Sequence, residues 1–402
     1  MEYRRGSVEP THKGENMLDR AQAIVDQIVG WRRFVHQHAE PAFQEHETAR
    51  LVAQALSEMS IPIQTGVGKT GVVGRIGHGS PVIALRADMD ALPVQEGTGL
   101  PFASQNPGVM HACGHDAHVA CLLGAASLLS ASPPPKGQVR LIFQPAEEGP
   151  DEEDMSGAMR MAQAGVMDGV DAIVGLHIWP EVPAGQVSLS PGPQMASAGK
   201  FDARIHGHGG HGAMPHRTVD PIVLAAQAIM ALQTVVSRRV DPLDAAVVTV
   251  TSIHGGTSHN IIPEHVDLLG TLRALTPEVY HQLEIKIERA LGVVRALGGD
   301  VKVEFGKSYD VVYNDPALTA FVTQVGVDLL GAEAVTPARP VMTGEDFSVL
   351  AEGIPGCYIR LGGGFPGQPL RNLHDAHFDI DEAALPIGAA LLAETALRYL
   401  TR

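Results

Sequence analysis

The sequence predicts an α/β fold interrupted by a smaller, ferredoxin-like α+β module. Three observations predict it: amphipathic helical segments alternate with short apolar runs, residues able to bind metal follow those runs, and the central stretch carries its own strand–helix–strand–strand–helix–strand order. Residues 18–37 and 46–58 repeat apolar positions with helical period. Gly66-Val67-Gly68-Lys69-Thr70-Gly71 imitates a dinucleotide-binding glycine pattern, but Ile63 stands where a phosphate loop requires its first glycine, and strand-like Val72-Val73 follows in place of a helix. A glycine-rich hairpin is therefore expected there. Residues 82–85 form a short buried strand running into Arg86-Ala87-Asp88-Met89-Asp90, 117–129 a helix, 139–143 a strand, and 172–176 a strand ending before His177.

Ser190-Pro191-Gly192-Pro193 reads as a linker into the second module, whose elements fall at 196–206, 220–238, 246–254, 266–273, 277–297 and 300–306. The first pattern resumes near Ser308 and closes with a helix from about 381 to 400. The chain thus divides into a polar, flexible tail (1–14), a main domain built from 15–190 and 308–402, and an inserted domain over 191–307. The acidic run Asp151 to Asp154 reads as a solvated loop.

Bulk properties narrow the function. A chain of 402 residues is two to three domains long at roughly 150 residues each. A formal net charge of -16 argues against a nucleic-acid surface. No apolar run reaches the ~18 residues of a membrane span, and residues 1–14 lack the apolar region of a secretory signal. Cys113, Cys121 and Cys357 cannot all pair, and Cys113 lies in a histidine-rich turn suited to a thiolate ligand, so a reducing cytoplasm is expected.

The chemistry concentrates at predicted strand ends. His111-Ala112-Cys113-Gly114-His115-Asp116 packs thiolate and imidazole donors into one turn, and Gln144-Pro145-Ala146-Glu147-Glu148-Gly149 adds adjacent carboxylates. With His177 and His374, the donors Cys113, His115 and Glu148 suffice for two zinc-like ions. In open α/β sheets the carboxyl ends of strands line the site crevice, so motifs distant in sequence can converge there. One carboxylate of a pair can hold a metal while its neighbour handles a water proton, which is the minimal equipment of a hydrolase.

These motifs resemble those of dinuclear metal amidohydrolases in the aminoacylase and glutamate-carboxypeptidase superfamily, in the branch of hippurate hydrolases and auxin-conjugate (IAA-amino acid) hydrolases. The similarity runs from about residue 17 through Leu85-Arg86-Ala87-Asp88, the Cys113 turn, the Glu pair, Gly175-Leu176-His177, Gly210-His211-Gly212-Ala213-Met214-Pro215-His216, Asn260-Ile261-Ile262-Pro263 and Leu373-His374. Most members of the superfamily carry His-X-Asp where this chain has Arg86-Ala87-Asp88. The resemblance implies a zinc-aminopeptidase-like catalytic domain, a central mixed sheet flanked by helices, with the insert as lid and dimerisation domain. It implies that Cys113, His115, Glu148, His177 and His374 hold two divalent ions (zinc, manganese, cobalt or nickel), with Cys113 bridging and Glu147 as general base. It further implies that His211 donates to the oxyanion and that Asn260 and Arg273 hold the substrate carboxylate. Asp88 either orients a ligating histidine or closes a strand-end turn, and His111, Asp116 and His118 are neighbours of the ligands or surface groups. Glu345 and Asp346 either support ligands or form an acidic helix N-terminus. The implied reaction is hydrolysis of an N-acyl or N-aroyl amino acid; a dipeptidase, aminopeptidase, carboxypeptidase or N-carbamoyl-amino-acid hydrolase on the same site is the alternative. The implied partners are a small N-acyl amino acid or short peptide and a second copy of the chain, as a homodimer or dimer of dimers, with no nucleic acid and no membrane.

Overall fold

The computed structural model describes residues 16–402; the predicted tail over 1–14 lies outside the described residues. An eight-stranded mixed sheet runs in the order Ile63–Val67, Gly71–His78, Gly137–Gln144, Val82–Asp88, Ala172–Pro183, Gly356–Gly364, Val187–Ser188 and Val335–Thr336. Its four central strands are parallel. They are buried almost throughout, as apolar runs covered on both faces must be. Helix His115–Ala131 lies against the sheet with nearly every residue buried, and Val25–Gln37 and Ala384–Thr401 pack on it. The predicted helix over 18–37 is two helices, Met17–Ala23 and Val25–Gln37, because Ile24 leaves helical geometry at φ -111°, ψ 15°. Around Gly68 the chain forms the expected hairpin, with Ile63–Val67 antiparallel to Gly71–His78.

Strands Ser197–His206, Ala246–His254, His265–Ala274 and Asp300–Tyr309 form a separate antiparallel sheet. The first of these is at the centre beside the third, the second and fourth are at the edges, and helices Pro221–Arg239 and Pro277–Leu291 cover one face. This is the ferredoxin-like arrangement of a βαββαβ chain. Residues alternate between core and solvent along Ser197–His206, and Phe201, Ala203, Ile205, Leu224, Leu232, Leu268, Leu283 and Ile287 fill the core between sheet and helices. The predicted helix over 277–297 breaks at Gly292 and resumes as Val293–Ala296. Among the described residues, one helix, Pro221–Arg239, has the length and hydropathy of a membrane span. It is not a continuous apolar run, since Gln227 and Gln233 interrupt it, and Leu224, Ala225, Ala228, Leu232 and Val235 are buried in the sheet's core.

Candidate metal centre

Three of the parallel strands deliver the site at their carboxyl ends. Val82–Asp88 brings Arg86 and Asp88, Gly137–Gln144 leads into the Glu147-Glu148 turn, and Ala172–Pro183 carries His177. The last differs from expectation: the strand does not stop before His177 but continues to Pro183, because Trp179 goes on pairing with Gly362 of the neighbouring strand. Helix His115–Ala131 starts two residues earlier than predicted, which puts His115 in its first turn. Gly114 caps it with φ 89°, and a Cβ there would lie 2.1 Å from Ile178 Cγ2, so only glycine lets this turn reach the sheet.

The five predicted donors converge. Ligand atoms of Cys113, His115 and His177 lie within 4.8 Å of one another, as do those of Cys113, Glu148 and His374. Cys113 belongs to both groups. Its Sγ is 3.4 Å from His177 Nε2, and Glu148 Oε1 is 3.4 Å from His374 Nε2 and 3.9 Å from His115 Nε2.

Backbone groups settle the tautomers. His115 Nδ1 donates to the Asp90 carbonyl at 2.9 Å and His177 Nδ1 to the Ile178 carbonyl at 2.6 Å, so both Nε2 lone pairs face the cluster. His118 is spent differently: Nε2 accepts from Ile178 N–H at 2.8 Å and Nδ1 donates to Asp88 Oδ1 at 2.5 Å. Asp88 therefore orients His118, not one of the five donors, and Asp90 takes the role expected of Asp88. His118 and Asp116 are buried neighbours of the cluster, and so is His111.

The donor set fits divalent cations. His115 Nε2 and Glu148 Oε1 are buried and make no well-formed hydrogen bond among the described residues, a costly state that a cation relieves. Burial drives His177 well below its ordinary range, aided by His118, which keeps the ring neutral and able to ligate. Burial also pushes the Cys113 thiol well up, reinforced by Glu148 and Glu147, while His115, despite burial, is raised to about 10 by Asp88, Asp90 and Glu148. Burial lifts Glu147 well above the carboxylate range, and Glu345, Glu148 and Asp346 add to it. Protons here stand in for positive charge that the cluster's acceptors demand.

Beside the cluster is a cavity of about 460 Å³, lined by Cys113, Glu147, Glu148, His177 and His374, by Arg273 from the inserted sheet, and by apolar Trp179, Met195, Val341 and Leu373. Arg273 spends Nη1 on the carbonyls of Gly199 and Leu272 and on Thr271 Oγ1, and no carboxylate pairs with it among the described residues. His211 and Asn260 are not among the lining residues. They stay with each other on an exposed two-stranded ribbon, where His211 pairs with Ile261 and Gly212 N–H donates to the Asn260 carbonyl at 2.8 Å. One copy of the chain thus assembles Arg273 but not His211 or Asn260 at the cavity.

Sequence reasoning missed what holds the site. Arg86 is fully buried, with Nη1 2.6 Å from Asp88 Oδ2, Nη2 at 2.9 Å from Glu345 and 3.0 Å from Asp346, and Nε 2.8 Å from Gln144 Oε1. Glu345 and Asp346 answer the Arg86 cation and contact none of the five donors. Arg86, Asp88 and Asp90 share one side of an extended segment at period two, a signal the sequence did carry. Asp151, expected in solvent, is tied to Lys69 and Arg160, both at 2.7 Å.

A buried cysteine, histidines and a glutamate pair gathered around one cleft at the carboxyl ends of parallel strands define a metal-dependent amidohydrolase. The chain belongs to peptidase family M20/M25/M40, whose profile matches residues 84–398. It is 42% identical over 391 residues to the Arabidopsis thaliana "IAA-amino acid hydrolase ILR1-like 4", covering 95% of this chain and 88% of the relative. It is 40% identical over 396 residues to the Bacillus subtilis "N-acetyl-L-cysteine deacetylase", covering 97% and 92%. The crystal structure of the Bacillus subtilis YXEP protein, described as a dinuclear metal-binding peptidase of the M20 family, superposes with a TM-score of 0.82 at 35% identity, covering 94% and 99%. The enzyme is accordingly a hydrolase with a dinuclear metal site.

Proposed function

We propose that the enzyme hydrolyses the amide bond of N-acyl or N-aroyl amino acids, releasing a carboxylic acid and a free amino acid. One observation carries this reading: a single cavity holds a carboxylate beside the metal donors, an apolar wall and an unpaired guanidinium. Cys113, His115, Glu148, His177 and His374 would hold the two divalent ions, with Cys113 shared. When bound, such ions supply Lewis acidity that acidifies water and polarises an amide carbonyl. Glu147 takes the proton of the attacking water and returns it to the departing amine, which leaves poorly unless protonated. Arg273 offers its free donors to the carboxylate of the amino-acid half, a planar match that fixes the amide over Glu147. Trp179, Met195, Val341 and Leu373 receive the acyl group. The donor set accepts zinc, cobalt or nickel through sulfur, and manganese through its imidazoles and carboxylate.

His211 and Asn260 complete the site from a second copy in this reading. The exposed Ile222, Val223 and Met230 on helix Pro221–Arg239, beside the open edge of Ala246–His254, provide an unpartnered apolar face for a homodimer. Sedimentation showing a monomer at micromolar concentration overturns that part. Cys113, Cys121 and Cys357 are unpaired and buried, in keeping with a cytoplasmic enzyme; recovery from an oxidising compartment on cell fractionation refutes this.

The test is Glu147→Gln assayed with hippurate, acetyl-methionine, dipeptides and a carbamoyl amino acid, on protein whose bound metal is quantified. Turnover of the acyl amino acids falls by roughly 100-fold or more with metal content unchanged. Wild-type turnover in the variant rejects Glu147 as base, and turnover confined to dipeptides or carbamoyl substrates rejects the substrate class.

A further inference from the structure

We infer that Asp90 is a positioning residue that fixes the Glu147-Glu148 turn and the His115 donor relative to one another, an inference that rests on the roles proposed for those three residues. Asp90 is buried two residues beyond strand Val82–Asp88. Its Oδ1 accepts Glu147 N–H at 3.1 Å and its Oδ2 accepts Glu148 N–H at 2.9 Å. Its own carbonyl accepts His115 Nδ1–H at 2.9 Å, with Oδ1 3.3 Å from the same nitrogen. One residue therefore sets the imidazole's free lone pair and the two backbone amides that carry base and ligand.

The turn needs such a hold. Ala146, immediately before the pair, has φ 48°, a left-handed conformation that its Cβ disfavours. Gly157 backs the turn so closely that a Cβ would stand 1.6 Å from the Pro145 carbonyl oxygen. On the other side, buried Glu45 accepts Ala146 N–H at 2.8 Å. Three successive amides, those of Ala146, Glu147 and Glu148, are thus held by carboxylates from two other parts of the chain, and a strained backbone persists when its surroundings over-determine it. Two neighbouring N–H groups gathered on one carboxylate fix where both side chains leave the backbone. Glu147 reaches Glu345 and Asp346 and Glu148 reaches His374, while ligand atoms of the two glutamates stay within 4.8 Å of each other and of His115. Release of either amide lets the pair rotate, which moves the base away from the substrate and the ligand away from the cluster.

Asp90→Asn tests this with almost no change of shape. An amide has one acceptor oxygen and one donor nitrogen, so whichever way it turns, an NH₂ faces one of the two backbone N–H groups. In metal-free protein, calorimetry then reads a divalent-cation affinity roughly 10- to 100-fold below wild type. With cations saturating, kcat falls about tenfold or more while KM holds within about twofold, because the lost contact does not touch substrate. A folded Asp90→Asn protein with wild-type cation affinity and kcat overturns the inference, and so does a lowered melting temperature accompanied by both wild-type values, which marks a merely structural carboxylate. Should the asparagine variant be insoluble, Asp90→Ser, whose hydroxyl can accept from one amide, takes its place: weakened cation binding with reduced kcat supports the positioning role, and wild-type values of both overturn it. Active Glu147→Gln would instead sink the functional reading, whereas inactive Glu147→Gln with wild-type Asp90→Asn sinks the positioning role alone.

Discussion

Replacing Arg86 with methionine removes a buried cation from behind the cavity and leaves its anions in place. Methionine fills similar space but offers no donor to Asp88, Glu345, Asp346 or Gln144, all of which the guanidinium contacts at 2.6 to 3.0 Å. Four hydrogen bonds from a charged group at roughly 1.5–3 kcal/mol each sum to about 6–12 kcal/mol. The measured cost should be smaller, about 3–5 kcal/mol, the usual figure for stranding one side of a buried pair, because the orphaned carboxylates take up protons. Asp346 is close to doing so already, since burial pushes it up to about 7 even with Arg86 beside it. Urea unfolding of wild type, Arg86→Met, Glu345→Gln and the double variant reads the cost and its origin. A glutamine at 345 can keep the Phe347 N–H on its carbonyl, where Oε1 now accepts at 2.9 Å, and turn its amide toward the Tyr358 oxygen, now 2.5 Å from Oε2. It also removes one stranded charge, so the double variant should lose at least about 1 kcal/mol less than the two singles summed. A cost under about 1 kcal/mol for Arg86→Met, or additivity within about 0.5 kcal/mol, refutes the view of Arg86 as the counter-charge of an acidic wall.

Two further predictions address stability and substrate choice. Buried His36 is lowered by burial, but Asp116 and Glu96 outweigh that and the repulsion of Arg32, raising it from 6.5 to about 9. A raised histidine contributes stability that is complete below about pH 6.5 and lost as pH climbs through about 9, here on the order of 3 kcal/mol. Melting temperature should therefore decline more steeply between those values in wild type than in His36→Gln, and parallel profiles contradict it. Trp179, held with the Arg360 guanidinium 4.2 Å from its ring centre and the His177 ring at 5.7 Å, presents the aromatic part of the cavity's apolar wall, the proposed acyl site. Trp179→Ala should lower kcat/KM for benzoyl substrates roughly 2- to 12-fold more than for acetyl ones, from about 0.5–1.5 kcal/mol of ring–ring contact; equal losses mean the acyl group lies elsewhere.

What the sequence made legible was chemistry at strand ends. Cys113, His115, Glu148, His177 and His374 are residue types with a common use, and apolar runs of strand length locate them on one sheet edge. Period alone could not say which histidine Asp88 orients, because His115 and His118 are three apart on one helix face and both reach the same strand. The choice is made by Ile178 N–H, which captures His118 Nε2 and so turns its other nitrogen to Asp88. That bond comes from a strand sixty residues away and has no local signature. Nor does a motif encode distance: His211 and Asn260 were read into the site by resemblance, yet the ribbon that carries them stands outside the cavity of a single copy.

The departure noted at Arg86 acquires an electrostatic sense from the geometry. A neutral imidazole at that position would add no charge to the cluster, whereas the thiolate form of Cys113 adds a negative one beside Glu147, Glu148 and Asp88. The Arg86 guanidinium supplies a fixed positive charge on the far side of Asp88, Glu345 and Asp346, and no proton need be bound to provide it. In the proposed site, a Cys113 thiolate would add to an acidic cluster part of whose charge Arg86 already offsets. Without the guanidinium, the acidic wall leans harder on the divalent ions. The destabilisation read in urea should accordingly be larger for metal-free than for metal-loaded protein, and an equal or greater loss in the loaded form would show that Arg86 does not share the charge load of the site.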